Sequence, residues 1–169
     1  MQNQSAFFEQ ELGGTLDWSY FGEVRKGWDG PLVLKGILSP EDAKRAVNHG
    51  ADGVWVSNHG GRQFDGAPAA INCLARIKNA VGDQAKVLFD SGIRSGVDIV
   101  RALREGADFT FAGRPFVYGV SALGEPGAAH TADLLIADLK NAMTQLGCRD
   151  LQEIAPVEEA LAFGPVDHP

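Results

Sequence analysis

Residues 39–63, SPEDAKRAVNHGADGVWVSNHGGRQ, decide the fold. Ser39 is suited to cap a helix. Pro40 fits the first helical position, where a missing N–H costs nothing, and Glu41 and Asp42 place negative charge at the positive end of the helix dipole. Ala43, Ala46 and Val47 give that helix an apolar face, and Gly50 ends it. Val54-Trp55-Val56 follows, too short for a helix and rich in β-branched and aromatic residues, so it reads as a buried strand. The strand then breaks into a polar, glycine-rich turn. Helix, strand and turn in this order are the repeating unit of a parallel α/β protein.

The same pattern extends outward in both directions. Leu32-Val33-Leu34, Val87-Leu88-Phe89 and Phe109-Thr110-Phe111 are further strand-like runs. Their near-continuous apolarity suits parallel strands covered on both faces. Between them lie a helix from about Pro68 to Val81, with Ile71, Leu74, Ile77 and Val81 on one side, and a helix from Ser95 to Gly106 carrying Val97, Val100 and Leu103. A longer helix from Gly127 to Leu146 shows a wide stripe of Leu134, Leu135, Leu139, Ala142, Met143 and Leu146. The order is β-α-β-α-β-α-β-α. HGAD at 49–52 and EGAD at 105–108 recur before the second and fourth strands, an internal repeat of two βα units. A full (β/α)8 barrel needs eight units in roughly 250 residues; the 169 residues here hold four. Upstream, Trp18, Phe21, Val24, Arg25 and Trp28 read as one amphipathic helix whose aromatic stripe packs into the core. The segment 156–169, rich in Pro and Glu, reads as a flexible arm.

A net charge of −7 argues against a nucleic-acid surface, which would be basic. It leaves room for a locally positive site for an anionic ligand. The two cysteines, Cys73 and Cys148, complete no metal-binding spacing and read as unpaired thiols of a reducing compartment. No apolar run is long enough for a transmembrane helix, and the N-terminus has no secretory pattern. The expectation is a cytoplasmic protein without a metal site.

In parallel α/β folds ligands bind at the carboxyl ends of the strands. Here those ends carry Lys35-Gly36, then Ser57-Asn58-His59-Gly60-Gly61-Arg62, then Asp90-Ser91-Gly92-Ile93-Arg94, then Gly113-Arg114. A cationic group therefore follows every strand. His59 can exchange a proton near neutral pH, and Arg62 can grip a carboxylate with two parallel hydrogen bonds. Gly92, Gly113, Arg94 and Arg114 suit a phosphate, approached by backbone N–H groups at a helix start. Lys35 fits a Schiff-base nucleophile, a charge stabiliser or a rim cation.

LVLKG, GVWVSNHGGRQFDG, LFDSGIRSGVDIVRALREGAD, AGRPFVYG and LGCRDLQEI resemble, in order and spacing, the FMN-dependent 2-hydroxy-acid dehydrogenases and oxidases of the L-lactate dehydrogenase and glycolate oxidase type. WDGPLVLKGILSPEDA and the serine of DSGIR are most similar to the L-lactate dehydrogenase branch. The resemblance implies the last four βα units of a barrel, over about residues 1–155, and FMN as cofactor. It implies that His59 takes a proton from the substrate and that Arg62 holds the substrate carboxylate. Lys35 and Ser57 would lie at the flavin ring, Asp90 at the ribityl hydroxyls, and Ser91, Gly92, Ile93, Arg94, Gly113 and Arg114 at the phosphate end. The reaction would oxidise an L-2-hydroxy acid to the 2-oxo acid.

In the family the first four strands bring further flavin contacts, a substrate-binding tyrosine and the aspartate that orients the base. None of these is in this sequence, so a fragment is expected, or a half barrel that needs its N-terminal half or a second copy. Lactate dehydrogenases of this branch are often associated with the bacterial inner membrane, so the resemblance implies a peripheral location there beside the cytoplasmic one. The competing expectation is a non-catalytic half barrel that dimerises and binds phosphate or flavin without turnover. A different phosphate-binding barrel enzyme has no need of the His and Arg pair in SNHGGRQ.

Overall fold

The computed structural model describes residues 16–154. The expected arm at 156–169 lies outside the described residues. The elements, numbered here in chain order, are α1 (Trp18–Gly27), β1 (Val33–Ile37), α2 (Pro40–Asn48), β2 (Gly53–Val56), α3 (Ile71–Val81), β3 (Lys86–Phe89), α4 (Gly96–Arg104), β4 (Phe109–Thr110), α5 (Arg114–Leu123) and α6 (Gly127–Leu146), with short 3-10 turns at His59–Gly61 and Leu151–Glu153. The four strands form one sheet in the order β1-β2-β3-β4. All three pairings are parallel, with Leu34 opposite Val54, Val54 opposite Val87 and Leu88 opposite Phe109.

Alternation across the sheet decides where the core sits. Val54, Val56, Val87 and Phe89 point to one face and are buried with Ala43 and Ala46 of α2, Cys73, Leu74 and Ile77 of α3, and Ala102 of α4. The other face carries Val33, Lys35, Trp55, Leu88 and Phe109. Phe109 is 58% exposed and Val33 39%, so among the described residues this face is largely uncovered. The near-continuous apolarity of the strands predicts cover on both faces. The difference arises because the inner face of a barrel is closed by strands across its axis.

Helix ends follow the sequence closely. Ser39 and Ser95 accept hydrogen bonds from the N–H of Asp42 and Asp98, and Asp17 caps α1. The Gly-Ala-Asp repeat is structural as well. Gly50 (φ 92°) and Gly106 (φ 98°) turn the chain out of α2 and α4 in a left-handed conformation that favours glycine. Asp52 N then donates to Leu32 O and Asp108 N to Val87 O, while each carboxylate accepts from the N–H of the same residue of the neighbouring strand at 2.8 Å.

Several expectations change. β1 runs to Ile37, so Lys35 lies within the strand rather than after it, and the register shifts between Lys35 and Ile37 around Gly36 (φ 95°). Helix α3 starts at Ile71 rather than Pro68. Trp28 is 54% exposed, whereas Phe21 is buried and Trp18 packs against the core and under the Arg45 guanidinium. An additional helix, α5, follows β4. The α6 stripe is only partly buried: Leu134 and Leu146 are exposed, and contact with α5 is made instead through Gly127 and Thr131, which face Gly119.

Candidate active site

The β2 turn carries the densest chemistry. His59, Gly60 and Gly61 all have positive φ, which swings the chain sharply back across the strand ends. Gly36 in the β1 bulge lies under the His59 ring: a β-carbon there would stand 2.9 Å from Nε2. Glycine at 36 therefore makes the space the imidazole occupies. Arg62 follows, its Nε donating to the His59 carbonyl at 3.3 Å, with the rest of the guanidinium exposed. Among the described residues no carboxylate bonds the His59 imidazole.

Lys35 Nζ donates to Ser57 Oγ at 3.0 Å and pairs with an Asp90 carboxylate oxygen at 3.0 Å. It also lies 4.9 Å from the centre of the Trp55 ring, which stacks on Phe111. Ser91 Oγ donates to the other Asp90 oxygen at 2.6 Å. Burial pushes the Asp90 carboxyl up, but hydrogen bonds from Ser57, Ser91 and Lys35, with the Lys35 charge, outweigh it and hold the group below the ordinary carboxylate range. Asp90 is therefore ionised at neutral pH and the Lys35–Asp90 pair is close to neutral overall.

Farther along the cleft, Gly92 (φ 122°) and Gly113 expose backbone beside Arg94 and Arg114. Helix α5 begins at Arg114 with Pro115 in its first turn, and its N-cap, Gly113, supplies no capping side chain. That leaves the helix start open to an anion. The Arg114 guanidinium reaches back across the sheet, and a β-carbon on Gly60 would be 3.3 Å from it.

These groups converge. A cleft of about 640 Å³ at the carboxyl ends of the strands is lined by Lys35, His59, Arg62, Asp90, Ser91, Gly92, Ile93, Arg94, Gly113 and Arg114. Ser57 differs: it is fully buried behind the lining, where its hydroxyl accepts from Lys35 Nζ and from the His59 N–H. Trp55, Phe111 and Val117 also line the cleft; none of them is among the site residues expected from the sequence, where Trp55 and Phe111 read only as strand residues. Period-two alternation would have placed Trp55 on the Lys35 face, since the two are register partners.

A parallel sheet whose strands end in glycine turns and converging cations defines part of an α/β barrel with a cleft suited to an anionic ligand. The family model for FMN-dependent dehydrogenase matches residues 1–159, and the chain belongs to that family. It is 41% identical over 154 residues to an L-lactate dehydrogenase of Chromohalobacter salexigens, covering 91% of this chain and 39% of the relative. It is 52% identical over 128 residues to an FMN-dependent alpha-hydroxy acid dehydrogenase of Schizosaccharomyces pombe, covering 76% of this chain and 31% of that protein. A crystal structure of mandelate oxidase with (S)-4-hydroxymandelic acid superposes with a TM-score of 0.79 at 43% identity, over 82% of this chain and 39% of that one. The chain thus spans well under half the length of these relatives, and its fold is the last four βα units of their barrel.

Proposed function

We propose that this chain is the part of an FMN-dependent 2-hydroxy-acid dehydrogenase that carries the base, the carboxylate grip and the cofactor's phosphate site, with L-lactate as substrate. The convergence of Lys35, His59, Arg62, Asp90, Arg94 and Arg114 on one cleft carries this reading. The donor set fits FMN: two guanidinium groups, two glycine turns and an uncapped helix start suit a phosphate dianion, and an ionised Asp90 suits the ribityl hydroxyls. When bound, FMN accepts the hydride equivalent from the substrate.

The chain's own residues do the rest. Arg62 binds the substrate carboxylate in a two-pronged grip and so fixes which carbon faces the flavin. His59, within the same cleft, takes the substrate proton as a general base. Lys35 supplies positive charge where negative charge develops on reduction, and its pairing with Asp90 holds the ammonium in place. Residues 1–155 act as one half-barrel unit, completed by the other half of the barrel or by a second copy. The two free thiols, Cys73 and Cys148, are compatible with a cytoplasmic location, and peripheral contact with the inner membrane stays open for the whole enzyme. Among the described residues no helix is long and apolar enough to cross a membrane.

Titration with FMN tests the reading. With the rest of the barrel supplied by a complementing half, the protein should turn yellow and quench flavin fluorescence, and L-lactate should bleach the colour anaerobically. His59→Gln should stop the bleaching and leave FMN bound. A second reading, a half barrel that binds flavin or phosphate without turnover, is favoured by the uncovered inner sheet face and by the lack of an orienting carboxylate at His59 among the described residues. Yellow protein that never bleaches, or protein that takes up no FMN, would support it, and protein that takes up neither FMN nor inorganic phosphate would refute both.

A further inference from the structure

His59 and Ser91 are the only non-glycine residues with positive φ among the described residues, at 55° and 75°. L side chains rarely adopt this conformation, and such backbone persists where surrounding contacts over-determine it. The two lie on different strand ends and meet in one hydrogen-bond cluster. Ser91 Oγ accepts from the Asn58 N–H at 3.2 Å and from the Gly60 N–H at 3.3 Å, and donates to Asp90 Oδ1 at 2.6 Å. Those three bonds match the one proton and both lone pairs of a hydroxyl, and Ser57 Oγ stands at a longer 3.4 Å. The Gly60 N–H is shared with Asn58 Oδ1 at 3.1 Å, whereas the Asn58 N–H has Ser91 as its acceptor.

We propose that Ser91 is a positioning residue whose hydroxyl latches the His59 turn to the end of β3 and thereby sets the direction of the imidazole. Its side chain has no bonding capacity left for a phosphate, so its contribution to the site passes through the backbone on either side of His59. The latch also links the base to the Lys35–Asp90 pair, because the Asp90 carboxylate accepts the Ser91 hydroxyl's hydrogen bond while pairing with Lys35. A turn held in this way supplies part of the orientation that a carboxylate on the imidazole would otherwise give. The significance for catalysis rests on His59 being the base; the latch itself does not.

Two variants separate the hydroxyl from the backbone. Ser91→Ala removes the hydroxyl and keeps a side chain in left-handed backbone; Ser91→Gly removes the hydroxyl and relieves the backbone. Hydrogen exchange and imidazole NMR are measured on the full chain without flavin or substrate, so a failure of the FMN reading leaves the test intact. Both variants should speed exchange of the Asn58 amide by about tenfold or more relative to Val56, and shift the His59 ring signals to a common new position. Ser91→Gly should do so with no loss of melting temperature. Unchanged Asn58 exchange and ring signals in both variants would overturn the proposal. So would a change confined to Ser91→Ala, which would assign the effect to backbone strain alone.

Discussion

The imidazole of His59 occupies space that only a residue without a β-carbon leaves free. Gly36→Ala would add both a left-handed backbone penalty of about 1 kcal/mol and a methyl group 2.9 Å from Nε2. The ring is the mobile partner, so the expected result is a displaced His59: altered imidazole NMR signals, with FMN affinity changed less than about threefold. Arg62 makes a different kind of contribution. Arg62→Lys keeps the charge but loses the planar fork, so in an active assembly kcat should fall and KM rise, by about tenfold each, in steady-state kinetics with L-lactate. Equal kinetics in the variant would remove Arg62 from substrate binding. That His59 and Arg62 line one cleft was legible from SNHGGRQ, because their three-residue spacing on a glycine turn is local. That Ser57 stands behind the cleft was not, because burial depends on which neighbours the β3 turn brings over it.

At the level of elements, the repeated Gly-Ala-Asp joints tie each helix end to a neighbouring strand. Asp52 is held below the ordinary carboxylate range by the Leu32 N–H and by Arg25. For Asp108, burial raises the carboxyl, but the Val87 N–H, Lys86 and Lys78 outweigh that and lower it. A depressed folded-state value means that the stabilisation is present above the unfolded carboxylate pKa, about 3.9, and is lost as pH falls through the folded value. Melting temperature should therefore drop steeply below about pH 4, and Asp108→Asn should flatten that drop while costing about 1 kcal/mol at pH 7. Thermal unfolding from pH 6 to pH 2.5 checks both. Helix α5 escaped the sequence reading because Gly113-Arg114-Pro115 reads as a turn, although proline in a first helical turn is also a start signal. The extension of β1 to Ile37 is set by pairing with β2, which local propensity cannot see.

Over the whole molecule, the sheet has one finished face and one unfinished one. The finished face buries Val54, Val56, Val87 and Phe89 against α2, α3 and α4. Leu74→Ala there should cost about 2–5 kcal/mol in denaturant unfolding. The unfinished face presents Val33, Trp55, Leu88, Phe109 and Phe111, and Trp55 Nε1 is buried on it without an acceptor among the described residues. The chain alone should therefore enhance the fluorescence of an apolar dye, and a polypeptide supplying the first four βα units should suppress that signal. No suppression by a folded complementing half would contradict the proposed completion. Sequence alone determined the order of the four strands and the helices between them, the repeat, the Ser39 and Ser95 caps and the residue types at each strand end, because these depend on near neighbours along the chain and on short-range periodicity. Tertiary structure decided which face of the sheet is covered, which site residues line the cleft and which stand behind it, and that Ser91 bonds the backbone of the His59 turn. Those outcomes depend on strands brought side by side from distant parts of the chain, where register and twist, rather than local preference, set the distances.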